Sequence, residues 1–370
     1  MTVNEKRSRL KKEAKRRRTP RDVAVEGTLA ARVRAPRAPP RARTREETRA
    51  DDLAPAEFAR VVMDVGRWAR VFRSELGEMN SGKVGRPYLY CDSMVAWLLS
   101  LMAVTGTSFR FVCGFADAVL GWFGLAAPSH SRLTERALSM HADAGTDAGA
   151  FGPGFLCVRA CGNVTARVRR LAADSTGLTL SSVLGWRRRK WGAGPADRGW
   201  LKLHVLADVD SGEIVAYALT DETVGDGPVL RSLTEAARGR GHRFDAVYGD
   251  NAYCSVANWS HVTRDLGARF VTSFQSRTAP VSRGCMARGA AAALWCSLTY
   301  DEWTRVTGYG RRWKVECVNS DLKRLLGETV SARTRAGAVA EVAARIGAFD
   351  RYKAVRARIM GVTGNGVRLI

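Results

Sequence analysis

The segment from Gly308 to Gly327 constrains this chain most strongly, because its polar and apolar residues separate onto two sides of a predicted helix. At about 100° per residue, a helix that begins near Gly310 gathers one phenol, two cations and one carboxylate in an arc about 60° wide. These four residues are Tyr309, Arg312, Glu316 and Lys323. The apolar residues fall on another arc, about 120° away. They are Val315, Val318, Leu322, Leu325 and Leu326.

The polar arc has two interpretations. A carboxylate flanked by cations along one line suits a metal ion beside a phosphate chain. The simpler alternative is a solvated helix face, on which Arg312 and Glu316 form an ion pair worth roughly 0.2–0.5 kcal/mol. The spacing of the four residues and the strands upstream bear on the choice between the two.

Two aspartates follow short apolar strands in the second half of the chain. The strand from Val168 ends at Asp174, and the strand Phe244–Gly249 is followed by Asp250. Between them the pattern predicts a hairpin over 200–219 and then a helix that opens at Pro228. A carboxylate at a strand end lies at a sheet edge where a ligand can bind. Each aspartate taken singly is equally suited to forming a turn or capping the strand.

The spacing Y-x2-R-x3-E-x6-K over residues 309–323 resembles the YREK signature of the IS4/IS5-type insertion-sequence transposases. The catalytic domain of those proteins is the DDE, RNase H-like fold. Three upstream segments align with the resemblance in order: ADSTGL around Asp174, WLKLH at 200–204, and YGDNAY around Asp250. The resemblance covers residues 85–350, and Asn251 departs from it, because many relatives have a basic residue after the second Asp.

The resemblance implies phosphoryl transfer at DNA 3′ ends. Its catalytic and metal-binding carboxylates are Asp174, Asp250 and Glu316, which together would hold Mg²⁺ or Mn²⁺, in a pair of ions. The implied DNA contacts are Tyr309, Arg312, Lys323, Lys202 and His204. The DNA partners would be the ends of the element and its target, with a homodimer in the end complex.

Two other functions share parts of this pattern. An RNase H-like nuclease or resolvase has the same carboxylates but cuts without joining strands, and a strand-transfer product would distinguish it from a transposase. A non-catalytic DNA-binding protein derived from a transposase would bind without cutting. All three carboxylates are present, so nothing in the sequence favours inactivation.

The charge of the chain agrees with a polyanionic partner. The 370 residues carry a formal net charge of +23, and residues 1–50 contain 17 Lys and Arg against 6 Asp and Glu. Such an excess is typical of proteins that bind nucleic acid or an acidic membrane surface. The apolar stretch Met94–Val104 is too short to span a bilayer, and no amphipathic basic helix stands out. We therefore expect DNA, and no membrane, as the partner.

The eight cysteines have scattered spacings. Three residues separate Cys157 from Cys161, but no second Cys pair or His cluster completes a zinc site. We therefore expect reduced thiols in a reducing compartment. With no visible signal peptide, this predicts a cytoplasmic, nucleoid-associated protein.

The predicted fold class is α/β: an RNase H-like mixed sheet flanked by helices, preceded by an all-helical domain and a disordered basic N-terminal tail. The predicted boundaries are 1–50 for the tail, 51–150 for the helical domain, 165–355 for the catalytic domain and 356–370 for a C-terminal tail.

Part of the helical domain resembles a helix-turn-helix DNA reader. Helices are predicted at Met94–Val104, Phe109–Leu120 and 132–140, joined by short polar turns. Arg132 and Arg136, near the start of the third helix, are the candidate DNA contacts. An ordinary helical bundle has the same pattern and remains the alternative.

Overall fold

A computed structural model describes residues 44–142, 154–162, 164, 167–180, 200–332 and 334–361. Most of the predicted basic tail and the last residues of the predicted C-terminal tail lie outside these ranges. In the described ranges no single helix is long and apolar enough to cross a membrane. The pair Asp92–Thr105 and Phe109–Phe123, bent by 119°, meets that criterion together, by length and composition.

The first part of the described chain is helical, as predicted. Its helices are α1 (Arg45–Met63), α2 (Val65–Asn80), α3 (Asp92–Thr105), α4 (Phe109–Leu120) and α5 (His130–Ala142). Helix α1 begins inside the segment predicted to be a disordered tail. The reason is a capping box, in which the Thr44 hydroxyl accepts from the Glu47 amide at 3.1 Å and the Thr44 amide donates to the Glu47 carboxylate at 2.8 Å.

The rest of the chain forms a mixed sheet of seven strands within the described residues. The strands are β1 (Phe155–Ala160), β2 (Arg169–Leu180), β3 (Trp200–Asp208), β4 (Ile214–Asp221), β5 (Phe244–Gly249), β6 (Arg269–Thr272) and β7 (Thr329–Val330). Their spatial order is β1-β4-β3-β2-β5-β6, and β7 pairs with β2. Neighbours from β1 to β2 are antiparallel, whereas β2, β5 and β6 are parallel.

Helices cover both faces of this sheet. They are α6 (Asp226–Gly239), α7 (Val256–Ser260), α8 (Met286–Ser297), α9 (Tyr300–Thr307), α10 (Trp313–Leu326) and α11 (Arg335–Ile359). Asp174 pairs across the sheet with Val205, so both side chains lie on one face, and His204 lies on the other. Asp174 contacts α10 whereas His204 approaches α6, so these two helices lie on opposite faces. The predicted mixed sheet flanked by helices is confirmed.

Two strand boundaries differ from the prediction. The sheet begins at Phe155, before the expected start at 165, because β1 pairs with the outer edge of β4. Strand β2 was expected to end at Asp174 but continues to Leu180. It continues because β3 pairs with it as far as Thr179, and β7 then pairs with Thr179 and Leu180. Asp174 is therefore a mid-strand residue.

Helix α11 joins the helical region to the sheet. It packs against α1, α3 and α5 and also against β1 and β4. The Arg356 guanidinium pairs with Asp51 at 2.6 Å, and the Tyr352 ring meets the edge of Phe58 with centroids 5.9 Å apart. The predicted catalytic boundary at 355 therefore falls within a helix that belongs to both parts.

One carboxyl on α11 is held in its neutral form. Oδ1 of Asp350 is buried and has no hydrogen-bond partner among the described residues. Burial, followed by the nearby Glu213 carboxylate, raises the pKa of Asp350 to about 8, against the opposing effects of Arg351 and Arg240. The side chain lies near the β3–β4 hairpin, where the backbone amide of Ile214 acts to lower its pKa.

This carboxyl predicts a pH dependence of stability. An unfolded Asp releases its proton near pH 3.9, so between that pH and about 8 the folded chain binds more protons than the unfolded chain. The free energy of unfolding should therefore fall as pH rises through this interval. In Asp350→Asn this contribution is absent. As the pH rises from about 5 to about 9, the free energy of unfolding of the variant should therefore increase relative to that of wild type. Urea denaturation measures both. Parallel pH profiles of the two proteins would contradict this.

Candidate active site

The register of two parallel strands brings Asp174 and Asp250 together. Leu171 is opposite Val247 and Ala172 is opposite Tyr248. Continuing this register by two residues places Asp174 beside Asp250, just where β5 has ended. Strand β2 therefore has no β5 partner at Asp174, and the same edge of β2 stays unpaired until β7 pairs with it at Thr179.

The turn after β5 fixes Asp250. Its Oδ1 accepts a hydrogen bond from the Ala252 amide at 2.8 Å and so caps a 3₁₀ turn over Asn251–Tyr253. One carboxylate oxygen is thus used to hold the loop in place. The other carboxylate oxygen takes no part in this cap and can bind a ligand.

Helix α10 brings the third carboxylate to β2. A 3₁₀ turn over Tyr309–Arg312 precedes the helix, and Val315 and Val318 on its apolar side are fully buried. The helix packs on β2 and β3. Asn319, one turn after Glu316, donates from Nδ2 to Oδ2 of Asp174 at 3.1 Å. The predicted separation of a packing side from a charged side is therefore present.

The pKa of Asp174 depends on its burial and on the groups around it. Burial raises the pKa of Asp174, and the Glu316 carboxylate raises it as well. The backbone amide of Ser175, the Arg312 guanidinium and the Asn319 amide act in the opposite direction. Desolvated carboxylates that repel each other are stabilised by a cation between them.

The donor chemistry fits Mg²⁺ or Mn²⁺, which prefer carboxylate oxygens. As the side chains stand, no group of three His, Cys, Asp or Glu residues in the described ranges is close enough to hold a metal ion. The Arg312 guanidinium bonds to Glu316 and lowers the pKa of Asp174. Three carboxylates would have to approach one another to share an ion.

The aromatic residue of the polar arc lies beneath the arginine. Tyr309 is 8% exposed, and its ring lies 4.7 Å from that of Trp303. Its hydroxyl donates to Ser273 at 3.2 Å, and the Arg312 guanidinium lies 5.6 Å from the ring centroid. Tyr309 thus supports Arg312 and offers little surface to DNA.

Lys323 is the more accessible cation. Its ammonium lies 3.3 Å from the Glu328 carboxylate, at the other end of α10 from Arg312. An ion pair this exposed contributes little to stability, so Lys323 can exchange Glu328 for a phosphate.

Two further residues expected to contact DNA form an internal cluster. Lys202 Nζ lies 2.7 Å from Asp226 Oδ1, and His204 Nδ1 lies 3.4 Å from the same oxygen. His204 has no exposed surface, its Nε2 lies 3.0 Å from the Thr220 hydroxyl, and burial lowers its pKa to about 4. A direct DNA contact by His204 does not fit this structure, because helices cover both faces of β3.

The two arginines of the helical region are both paired. Arg132 bonds to Glu135 at 2.8 Å on the exposed side of α5, and Arg136 bonds to Asp92 at the start of α3. Arg136 therefore ties two helices together. Arg132 keeps the more exposed side chain of the two.

Sequence reasoning missed Asn319, which is 6% exposed and bonds to Asp174. Its signal was available, because it lies three residues after Glu316 and so faces the same way on a helix. It also missed Tyr253, which is 1% exposed and lies three residues after Asp250. No spacing rule distinguishes such a tyrosine from an ordinary core residue.

Residues 167–349 match the family model of the transposase DDE domain, and this range contains Asp174, Asp250 and Glu316. The match supports a DDE transposase, and the IS4/IS5-type assignment remains a prediction. No curated protein matches the chain. Among solved structures, the chain is similar to a chain of the cryoEM structure of the simian T-cell lymphotropic virus intasome in complex with PP2A regulatory subunit B56 gamma. The identity is 15% over 64% of this chain and 69% of that chain, with a TM-score of 0.22, which supports no argument about the site.

The Asn319 contact predicts a change in the titration of Asp174. In Asn319→Ala the carboxylate loses a hydrogen bond that favours its charged form, so the pKa of Asp174 should rise further. The pKa is measured by carboxyl-carbon NMR of the full chain without metal. Ser320→Ala, an exposed neighbour on the same helix, serves as the control and should leave the pKa unchanged. An Asp174 pKa that is equal in wild type and Asn319→Ala would contradict the assigned role.

Proposed function

We propose that this chain is an insertion-sequence transposase that cleaves DNA at the ends of its element and joins the freed 3′-hydroxyl to target DNA. Asp174, Asp250 and Glu316 would bind the divalent cations, Mg²⁺ or Mn²⁺, and act as the catalytic carboxylates. The observation that supports this best is the parallel register of β2 and β5. Continued by two residues, that register would set Asp174 beside Asp250, and α10, which carries Glu316, contacts Asp174 through Asn319.

When bound, a pair of divalent cations lowers the pKa of the attacking water or 3′-hydroxyl and neutralises charge on the leaving oxygen. The residues of the chain supply the rest. Asn319 holds Asp174 in place, and the capped turn after β5 holds Asp250. No ATP is needed, because each joining step exchanges one phosphodiester bond for another.

The cations of the polar arc would position DNA phosphates next to the carboxylates. Arg312 offers a planar guanidinium, supported from below by the Tyr309 ring, and guanidinium groups bind phosphate with two parallel hydrogen bonds. Lys323 would bind a second phosphate farther along α10. The expected roles of Arg132 and Lys202 as DNA contacts also remain proposals, as does a homodimer on paired ends.

Replacing one carboxylate tests the proposed chemistry. In Glu316→Gln the shape is kept and the charge that holds a cation is lost. We expect wild-type protein to excise the element from a donor plasmid that carries the native flanks. Excision by Glu316→Gln should fall to background at equal protein level and equal DNA binding. Asp301→Asn, an exposed carboxyl in the first turn of α9, is the matched control and should retain excision.

The products decide between related functions. Target DNA joined to the 3′ end of the element supports a transposase, whereas cut ends without joining indicate a nuclease or resolvase. DNA binding with no cutting by wild type, in the presence of its native ends, would refute the proposal and favour a non-catalytic DNA-binding protein.

Salt dependence tests the role of Lys323. A lysine that binds one phosphate contributes about one unit to the slope of log K against log salt concentration. We therefore expect Lys323→Ala to weaken binding to element ends and to lower that slope by about one. The control is Lys314→Ala, because Lys314 lies about 180° away around the same helix. Equal slopes for Lys323→Ala and wild type would exclude the phosphate contact.

A further inference from the structure

Tyr253 presents a buried hydroxyl that the fold does not use. The residue is 1% exposed, and its hydroxyl has no hydrogen-bond partner among the described residues. Buried hydroxyl groups in proteins normally have a partner. A phenylalanine would fill the same space without leaving a polar atom unsatisfied. The hydroxyl therefore calls for a function outside the packing of the core.

The surroundings of this hydroxyl are acidic. The charged groups that act on it are, in order of effect, the carboxylates of Asp226, Asp174 and Asp250, followed by the guanidinium of Arg312. Burial and these carboxylates raise the pKa of Tyr253 well above its usual range. The phenol is thus a neutral group, able to donate one hydrogen bond to a carboxylate.

The ring and backbone of Tyr253 are held independently of the hydroxyl. A Cβ atom on Gly249 would lie 3.0 Å from Cβ of Tyr253, so a larger residue at this strand position would press against the ring. The Asn258 side chain donates to the Tyr253 carbonyl at 3.0 Å and to the Gly227 carbonyl at 2.9 Å. These contacts link the turn after β5 to the first turn of α6, and removal of the hydroxyl leaves them intact.

Of the three carboxylates around the Tyr253 hydroxyl, that of Asp226 is already paired with a cationic side chain. Lys202 Nζ lies 2.7 Å from its Oδ1, and the pair lies on the α6 side of the sheet. Asp174 and Asp250 have hydrogen bonds from amide groups but no Lys or Arg bonded to them in the described structure. A further hydrogen-bond donor would consequently stabilise these two carboxylates more than that of Asp226.

We infer that Tyr253 is a positioning residue for the divalent-cation site, whose hydroxyl donates a hydrogen bond to a carboxylate oxygen of Asp174 or Asp250 that the cation leaves free. This inference rests on the proposed function and adds to it a residue outside the three carboxylates. A donor fixed by the core would set the orientation of a cation-binding carboxylate, and such outer contacts commonly alter metal affinity about 10- to 100-fold.

The test is a Mn²⁺ titration of the full chain without DNA. Electron paramagnetic resonance measures the concentration of free Mn²⁺ at each step of the titration. Tyr253→Phe removes only the hydroxyl, and we expect its Kd for Mn²⁺ to be at least about tenfold weaker than that of wild type. Tyr217→Phe is the matched control, because Tyr217 is a buried tyrosine on β4 whose charged neighbours do not include Asp174 or Asp250. Its Kd should equal that of wild type.

Thermal unfolding in EDTA shows whether the Tyr253 hydroxyl acts on the cation site or on the stability of the fold. Tyr253→Phe should unfold at or above the temperature of wild type without metal, yet gain less stability from added Mn²⁺. Asp250→Asn identifies the site and should abolish specific Mn²⁺ binding.

Two results would overturn the inference in distinguishable ways. If wild type and Asp250→Asn bind Mn²⁺ equally, the proposed cation site fails and the role of Tyr253 fails with it. If Asp250→Asn loses binding while Tyr253→Phe keeps the wild-type Kd, the cation site stands and the role of Tyr253 alone is refuted.

Discussion

The parallel pairing of β2 with β5 is the interaction on which the rest of the site depends. A parallel ladder sets residues of adjacent strands opposite one another, and a shift of one residue would turn every side chain to the other face. The ladder stops at Tyr248 although β2 continues. That edge of β2 is therefore unpaired from Ala173 to Leu178, before β7 pairs with it, and Asp174 lies in this gap. The α10 helix can reach that position because its apolar side packs on the same strand.

The charge of the site is balanced within the protein on both faces of the sheet. On one face Arg312 bonds to Glu316, and on the other Lys202 forms an ion pair with Asp226. At Asp174 the first of these pairs has opposing effects, because Arg312 lowers the pKa of this carboxyl and Glu316 raises it. Opposite charges within a few ångströms favour the ionised forms of both partners. The acidic cluster can therefore exist in the folded chain before any metal ion binds, because the Arg312 and Lys202 side chains lie close to it.

The order of strands and helices could be predicted from the sequence, because hydrophobic periodicity and turn residues report local structure directly. The hairpin around Asp210 and the amphipathic pattern of α10 are examples, and the mixed sheet follows from them. The length of β2 could not be predicted, because Ser175–Leu180 is polar enough to read as a loop and becomes a strand only through pairing with β3 and β7. The burial of His204 was missed for a similar reason: alternation along β3 indicates one covered face, whereas helices cover two. The roles of Asn319 and Tyr253 depend on neighbours that are distant in the sequence, and no local pattern encodes those contacts.

The position of α11 has a consequence for how the chain reaches its folded state. The bond between Arg356 and Asp51 joins residues 305 positions apart. Contacts over such separations require a large loop to close before they contribute any stability, and proteins rich in them fold slowly. The helices of the N-terminal region and the outer strands of the sheet both pack against this one helix. Their mutual packing therefore depends on closing a loop that spans most of the chain.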